Sequence, residues 1–207
     1  KAYKDWGNIT GRKGKKPSFG ENLSYFFNYQ INHMYFRYFM WNFAGKQNDM
    51  QSHGSITEGQ WLSGITFFDE WRLGPQDNLP SGQENNPGRN HFYMLPFILG
   101  MIGLYYHYKK SKKDAWIVNL LFIFTGLAIV VYLNQYPYQP RERDYAYVGS
   151  FYAFAIWIGL GVLAIIEKLR AYAPEKITAL ATTVLCLVAV PGIMASEGWD
   201  DHNRSDR

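Results

Sequence analysis

The chain has 207 residues, a formal net charge of +4 and a single cysteine, Cys186. One cysteine excludes an internal disulfide framework, and the scattered positive charge offers neither a basic face nor a readout motif for nucleic acid. A mean hydropathy of −0.26 hides a division, because residues 1–90 are polar and aromatic whereas 91–195 are dominated by apolar runs.

The chain opens at Lys1 and closes in a polar stretch at Arg207, so it is expected to be an internal part of a longer protein. Gly11 to Lys16 is glycine- and lysine-rich but lacks the spacing of a phosphate-binding loop. Residues 22–43 follow. Leu23, Phe27, Ile31, Met34, Tyr35, Tyr38 and Trp41 recur there at helical spacing, with Ser24, Asn28, Asn32 and Arg37 largely elsewhere. This pattern predicts an amphipathic aromatic helix in the headgroup region, either a platform for a lipid-linked substrate or an interfacial anchor. Residues 45–90, rich in Gly, Asn, Gln, Ser and Pro, read as a long loop with short turns. The five histidines, His33, His53, His91, His107 and His202, have no metal-ligand spacing, so no zinc site is expected.

Hydropathy predicts four transmembrane helices, at about 92–108, 115–133, 147–166 and 177–195. Pro96 and His107 weaken the first. The fold class expected is therefore all-α, a multi-pass bundle with an interfacial helix and a long extracytoplasmic loop. The hinge at 109–113 holds four lysines in five residues, and Lys168, Arg170 and Lys176 mark the hinge before the last helix. Both place their end of the bundle in the cytoplasm, which leaves 1–90, 134–146 and 196–207 together on the extracytoplasmic face.

Between the second and third helices lie Arg141, Glu142, Arg143 and Asp144. Each charge would cost roughly 2.5–3.5 kcal/mol at mid-bilayer, so the four belong in a surface loop or a polar cavity. Arginine's planar fork suits phosphate, and Glu142 or Asp144 would orient the arginines or contact sugar hydroxyls. The alternative is mutual neutralisation, with Asp144 stabilising the start of the next helix. Asp200, Asp201 and His202 form a second cluster, read either as an acceptor or divalent-cation contact or as a solvated junction into a following domain.

Residues 32–49 (NHMYFRYFMWNFAGKQND), 132–135 (YLNQ), 139–147 (QPRERDYAY), 149–154 (GSFYAF) and 199–202 (WDDH) carry a resemblance. Across them the chain resembles a bacterial family of multi-pass membrane proteins, formerly of unknown function, related to the protein O-mannosyltransferase-like enzymes of the GT-C fold. The resemblance implies a bacterial inner-membrane glycosyltransferase that uses a polyprenyl-phosphate-linked sugar and a protein acceptor, with its site on the extracytoplasmic side. It assigns no other cofactor. It also implies a catalytic acidic residue in an early outward loop that follows an amino-terminal helix. This chain has no such helix ahead of it, so no catalytic residue carries over. A lipid-substrate transporter or flippase, and a non-catalytic subunit of an envelope complex, are the competing readings.

Overall fold

The computed structural model describes residues 2–9, 16–137 and 143–199. It is mostly helical, with one two-stranded ribbon among the described residues. After α1 (Ala2–Trp6), a long helix starts at α2 (Phe19–Tyr25), widens into a π-helical stretch (Phe26–Phe36) and ends as α3 (Arg37–Phe43). Its start follows from a capping box: the Ser18 hydroxyl accepts from the Glu21 amide at 3.3 Å, and the Glu21 carboxylate accepts from the Ser18 amide at 2.6 Å.

This helix departs from the expected single stripe. Met34, Tyr35 and Tyr38 are buried, whereas Leu23 and Phe27 are exposed. A π turn holds more residues than an α turn, so side chains spaced for one α-helical face are rotated apart across it. The buried part packs on the bundle through edge-on aromatic contacts. Phe39 meets Phe154 at 4.8 Å and 80°, and Phe122 at 5.8 Å and 87°.

Residues 45–90 fold into a cap rather than an open loop. It contains the ribbon β1 (Gly45–Lys46) and β2 (Asn90–His91), α4 (Thr66–Leu73) and α5 (Ser81–Glu84). Gly45, at φ +134°, lies between the carbonyls of Leu62 and Asn90, where no side chain fits. Side chains supply most of the remaining order. The Asn48 carbonyl oxygen accepts from the Met50 and Gly59 amides, and its amide nitrogen donates to the Thr57 carbonyl.

The bundle follows as α6 (Leu95–Lys110), α7 (Lys112–Thr125), α8 (Leu127–Leu133), a 3-10 turn (Asp144–Tyr147), α9 (Val148–Leu169), α10 (Glu175–Leu187), a π turn (Val188–Gly192) and α11 (Ile193–Glu197). Three continuous stretches, Lys112–Leu133, Asp144–Leu169 and Glu175–Glu197, are long and apolar enough to cross a membrane. Only 11%, 33% and 22% of their apolar windows are buried within the protein. Soluble core helices would be covered, so these faces meet lipid or neighbouring helices, and the chain is a helical membrane protein.

The expected fourth span is α6, which has 16 residues. It extends for about 24 Å against a hydrocarbon core of about 30 Å, and thus falls short of an independent crossing. It nevertheless packs along α9. Gly100 faces Phe154, and Gly103 and Gly161 bring the two backbones together. Pro96 sits in the first turn, where its missing N–H would have no helical partner. His107 Nδ1 accepts from the Trp157 indole at 3.3 Å.

Candidate functional site at the polar end

The long helix, the cap ribbon, the segment after α8 and the end of α11 meet at one end of the bundle. The Gln30 amide donates to the Asn134 side-chain oxygen at 2.5 Å, the Tyr29 hydroxyl to the Tyr136 carbonyl at 3.1 Å, and the His91 amide to Glu197 at 2.8 Å. At the opposite end Lys110 and Tyr106 both bond Glu167, and Arg170 pairs with Glu175. The lysine-rich hinge and the cap therefore occupy opposite ends.

Three cavities lie in the polar end, and the most voluminous, about 600 Å³, is in the cap itself between Asp69, Gln76, Glu84, Arg89 and His91. A second, about 240 Å³, is lined by Asp5, Trp6, Tyr29, His33, Gln51 and His53 among others, and by Pro137. Pro137 is the last described residue before the Arg-Glu-Arg-Asp segment, and neither Arg143 nor Asp144 lines this cavity. The smallest, about 160 Å³, shares Trp6, His33 and Gly54 with the second and adds Asn32, Arg37, Gln60, Trp61 and Arg72.

The long helix positions the shared wall. Tyr29 and His33 are one helical step apart and stack with Trp6, whose ring lies 5.4 Å from Tyr29 and 4.8 Å from His33. Next on the same helix, Arg37 is only 2% exposed. Its Nε donates to the His33 carbonyl at 2.9 Å and its Nη1 to the Gly59 carbonyl at 2.7 Å, and its guanidinium lies 4.5 Å from the Tyr38 ring. A buried cation would be costly unless hydrogen-bonded, and these bonds hold Arg37 in place.

His33 lies against the Ser52 carbonyl, 3.1 Å from its Nε2. Burial first, then the Arg37 charge, pushes its pKa from the ordinary 6.5 down to about 3, despite the opposing Ser52 bond. The ring is therefore neutral at pH 7 and donates from Nε2. The unfolded chain takes up this proton near 6.5, which the folded protein resists until about 3. The linked stability is complete above the unfolded value and is lost as pH falls toward 3. Thermal unfolding of the detergent-solubilised protein at pH 5 should show a loss of about 2 kcal/mol from this group relative to pH 7. His33→Gln should lack that component, and an identical pH profile in the two proteins would contradict it.

Of the residues singled out by sequence, Arg143 and Asp144 are described. Both are exposed, with Asp144 in the first turn of the 3-10 segment. Arg141, Glu142, Asp200, Asp201 and His202 lie outside the described residues. Among the described residues no cluster of three metal-binding side chains occurs. Sequence reading overlooked Arg37, Arg72, His33 and Trp6 as site residues. Arg37 carried a signal, a lone cation inside the aromatic run Phe36-Arg-Tyr-Phe-Met-Trp41, where burial demands a polar partner. Arg72 carried none, because only the folded cap brings it to Trp6. Comparison with family models, with curated proteins and with solved structures finds no match for this chain.

Proposed function

We propose that the chain is part of a membrane glycosyltransferase that moves a sugar from a polyprenyl-phosphate donor to a protein hydroxyl. The reaction would occur on the extracytoplasmic face of a bacterial inner membrane. The observation that carries this reading is the 240 Å³ cavity at one end of the membrane bundle, lined by aromatic and polar side chains and by Pro137, which precedes the Arg-Glu-Arg-Asp segment in sequence. A donor with its prenyl chain in lipid would present its phosphate at that level. The lysine hinge at the other end supports the outward orientation of the cavity.

In this chemistry a carboxylate deprotonates the acceptor hydroxyl, whose oxygen attacks the sugar's anomeric carbon. The glycosidic bond to the phosphate oxygen breaks, and a guanidinium balances the charge gathering on the departing polyprenyl phosphate. The carboxylate is assigned to a part of the protein outside this chain, and the guanidinium to Arg141 or Arg143. Full-length protein carrying Arg141→Ala and Arg143→Ala should lose transfer by about tenfold or more, read by profiling glycoproteins in cells. Unchanged glycans at normal protein abundance would overturn the role of this segment.

A lipid transporter is the second reading, favoured by two interruptions in the spans, at Gly126 and at the π turn around Pro191. It calls for lipid scrambling in proteoliposomes without added acceptor, which the transferase reading does not.

A further inference from the structure

The smallest cavity is notable for the charge of its walls. Arg37 and Arg72 both line it, and no Asp or Glu does among the described residues. Arg72 comes from the last turn of α4, with its guanidinium 3.6 Å from the Trp61 ring centre and Nη2 donating to the Trp61 carbonyl. Its Nε is buried without a hydrogen-bond partner, and Arg72 forms no ion pair among the described residues. The nearest acid electrostatically is Asp69, one turn earlier. That carboxylate is already committed to the Ser63 and Gly64 amides and the Ser63 hydroxyl.

Desolvation lowers Arg72 to about 10, which still leaves it charged at pH 7. His33 is neutral there, so Arg72 brings its positive charge to a lining that has no Asp or Glu among the described residues. Both guanidiniums are stacked on aromatic rings and thereby held in place before any ligand arrives. A cavity of about 160 Å³ would hold about five waters at roughly 30 Å³ each, enough for a tetrahedral oxyanion and part of a ring. Trp6 and Trp61 also line the cavity, and the Arg72 head lies over the Trp61 ring.

We propose that this cavity, bounded by Arg37, Arg72, Trp6 and Trp61, is a phosphate-binding subsite, with Arg72 as its principal donor. Arginine's planar fork matches the oxygens of a phosphate, and the Arg72 Nε–H has no acceptor within the protein. The phosphate belongs either to a lipid headgroup or to a soluble phosphorylated compound. The site deepens the donor-handling reading only if the phosphate is lipid-linked. Binding of the anion itself needs no transfer reaction.

The test uses the full chain, first in detergent with radiolabelled inorganic phosphate in equilibrium dialysis, then in phosphatidylcholine nanodiscs with and without polyprenyl phosphate. Saturable binding is expected, weakened at least tenfold by Arg72→Gln and less by Arg72→Lys. Asn32→Asp is a second variant. It sets a negative charge at an exposed lining position, where folding is undisturbed, and it too should weaken binding. Displacement of the label by polyprenyl phosphate in nanodiscs identifies the lipid source, and binding without displacement the soluble one. Absence of saturable binding, or wild-type binding in a folded Arg72→Gln together with Asn32→Asp, overturns the subsite. Loss of glycan transfer in cells with phosphate binding intact bears on the transferase reading alone.

Discussion

Gly103→Ala should prevent the bundle from assembling. A Cβ built at Gly103 falls on the carbonyl oxygen of Trp157 and the amide of Gly161, far inside the 3.0 Å that real Cβ atoms keep. Both obstacles are backbone, so no rotamer change relieves them. Separation of α6 from α9 would also loosen Gly100 from Phe154 and His107 from Trp157. The expected penalty is at or above the top of the roughly 1–3 kcal/mol seen for overpacked cores. Gly159 is the matched control on the same α9 helix, because a Cβ there meets nothing within 4 Å. Gly159→Ala should leave yield and thermal unfolding in detergent unchanged or slightly improved, as alanine is the better helix former. Equal behaviour of the two variants would mean that α6 and α9 do not pack through their glycines.

The second large effect is expected in the cap. Asp69 is 2% exposed, and its carboxylate accepts from the Ser63 amide at 2.9 Å, the Gly64 amide at 2.7 Å and the Ser63 hydroxyl at 2.9 Å. Ser63 is itself fully buried. Asp69→Ala leaves these donors without an acceptor, and buried unsatisfied groups cost about 1–3 kcal/mol each, so roughly 3 kcal/mol or more is at stake. The loss should be local. Limited proteolysis should cut within 45–90 far faster than in wild type while the far-ultraviolet signal of the spans persists. Asp77→Ala, at an exposed cap position, should not change the digestion rate. A cap equally resistant in Asp69→Ala would refute the assigned role.

These two variants mark what was legible in the sequence and what was not. The spans were legible because burial in lipid needs only a long apolar run, and 112–133, 144–169 and 175–197 each supply one. Their ends were less so. Ser111 caps α7 by accepting from the Asp114 amide, which carries that helix back to Lys112, and the 3-10 turn at Asp144 extends the third span. The cap was read as loop because its order is not periodic. Asn48, Gln47 and Asp69 bond particular backbone groups five to thirteen residues away, and such pairings leave no repeat. The aromatic helix was legible as a helix. Its facing was not, since the π winding at Phe26–Phe36 turns the early and late apolar residues to different sides. Of the candidate site, the Arg-Glu-Arg-Asp segment was legible as charge that lipid would reject. The Arg72 cavity was not, because residues 6, 32, 61 and 72 converge only after the cap has folded.

The bonds that close the polar end also bear on the order in which the protein matures. Gln30 meets Asn134 and Tyr29 meets Tyr136 across 104 and 107 positions, and His91 meets Glu197 across 106. Between His91 and Glu197 the chain runs the length of the bundle four times, along α6, α7 with α8, α9, and α10 with α11. During synthesis the cap emerges first but lacks its last partner until the final helix has been threaded through the bilayer. Contacts of such sequence separation form late. Tyr29 and Pro137 line the 240 Å³ cavity beside this closure, so competence to hold a ligand there should arise only after the helices that precede Pro137 are in place, which delays any encounter with substrate until then.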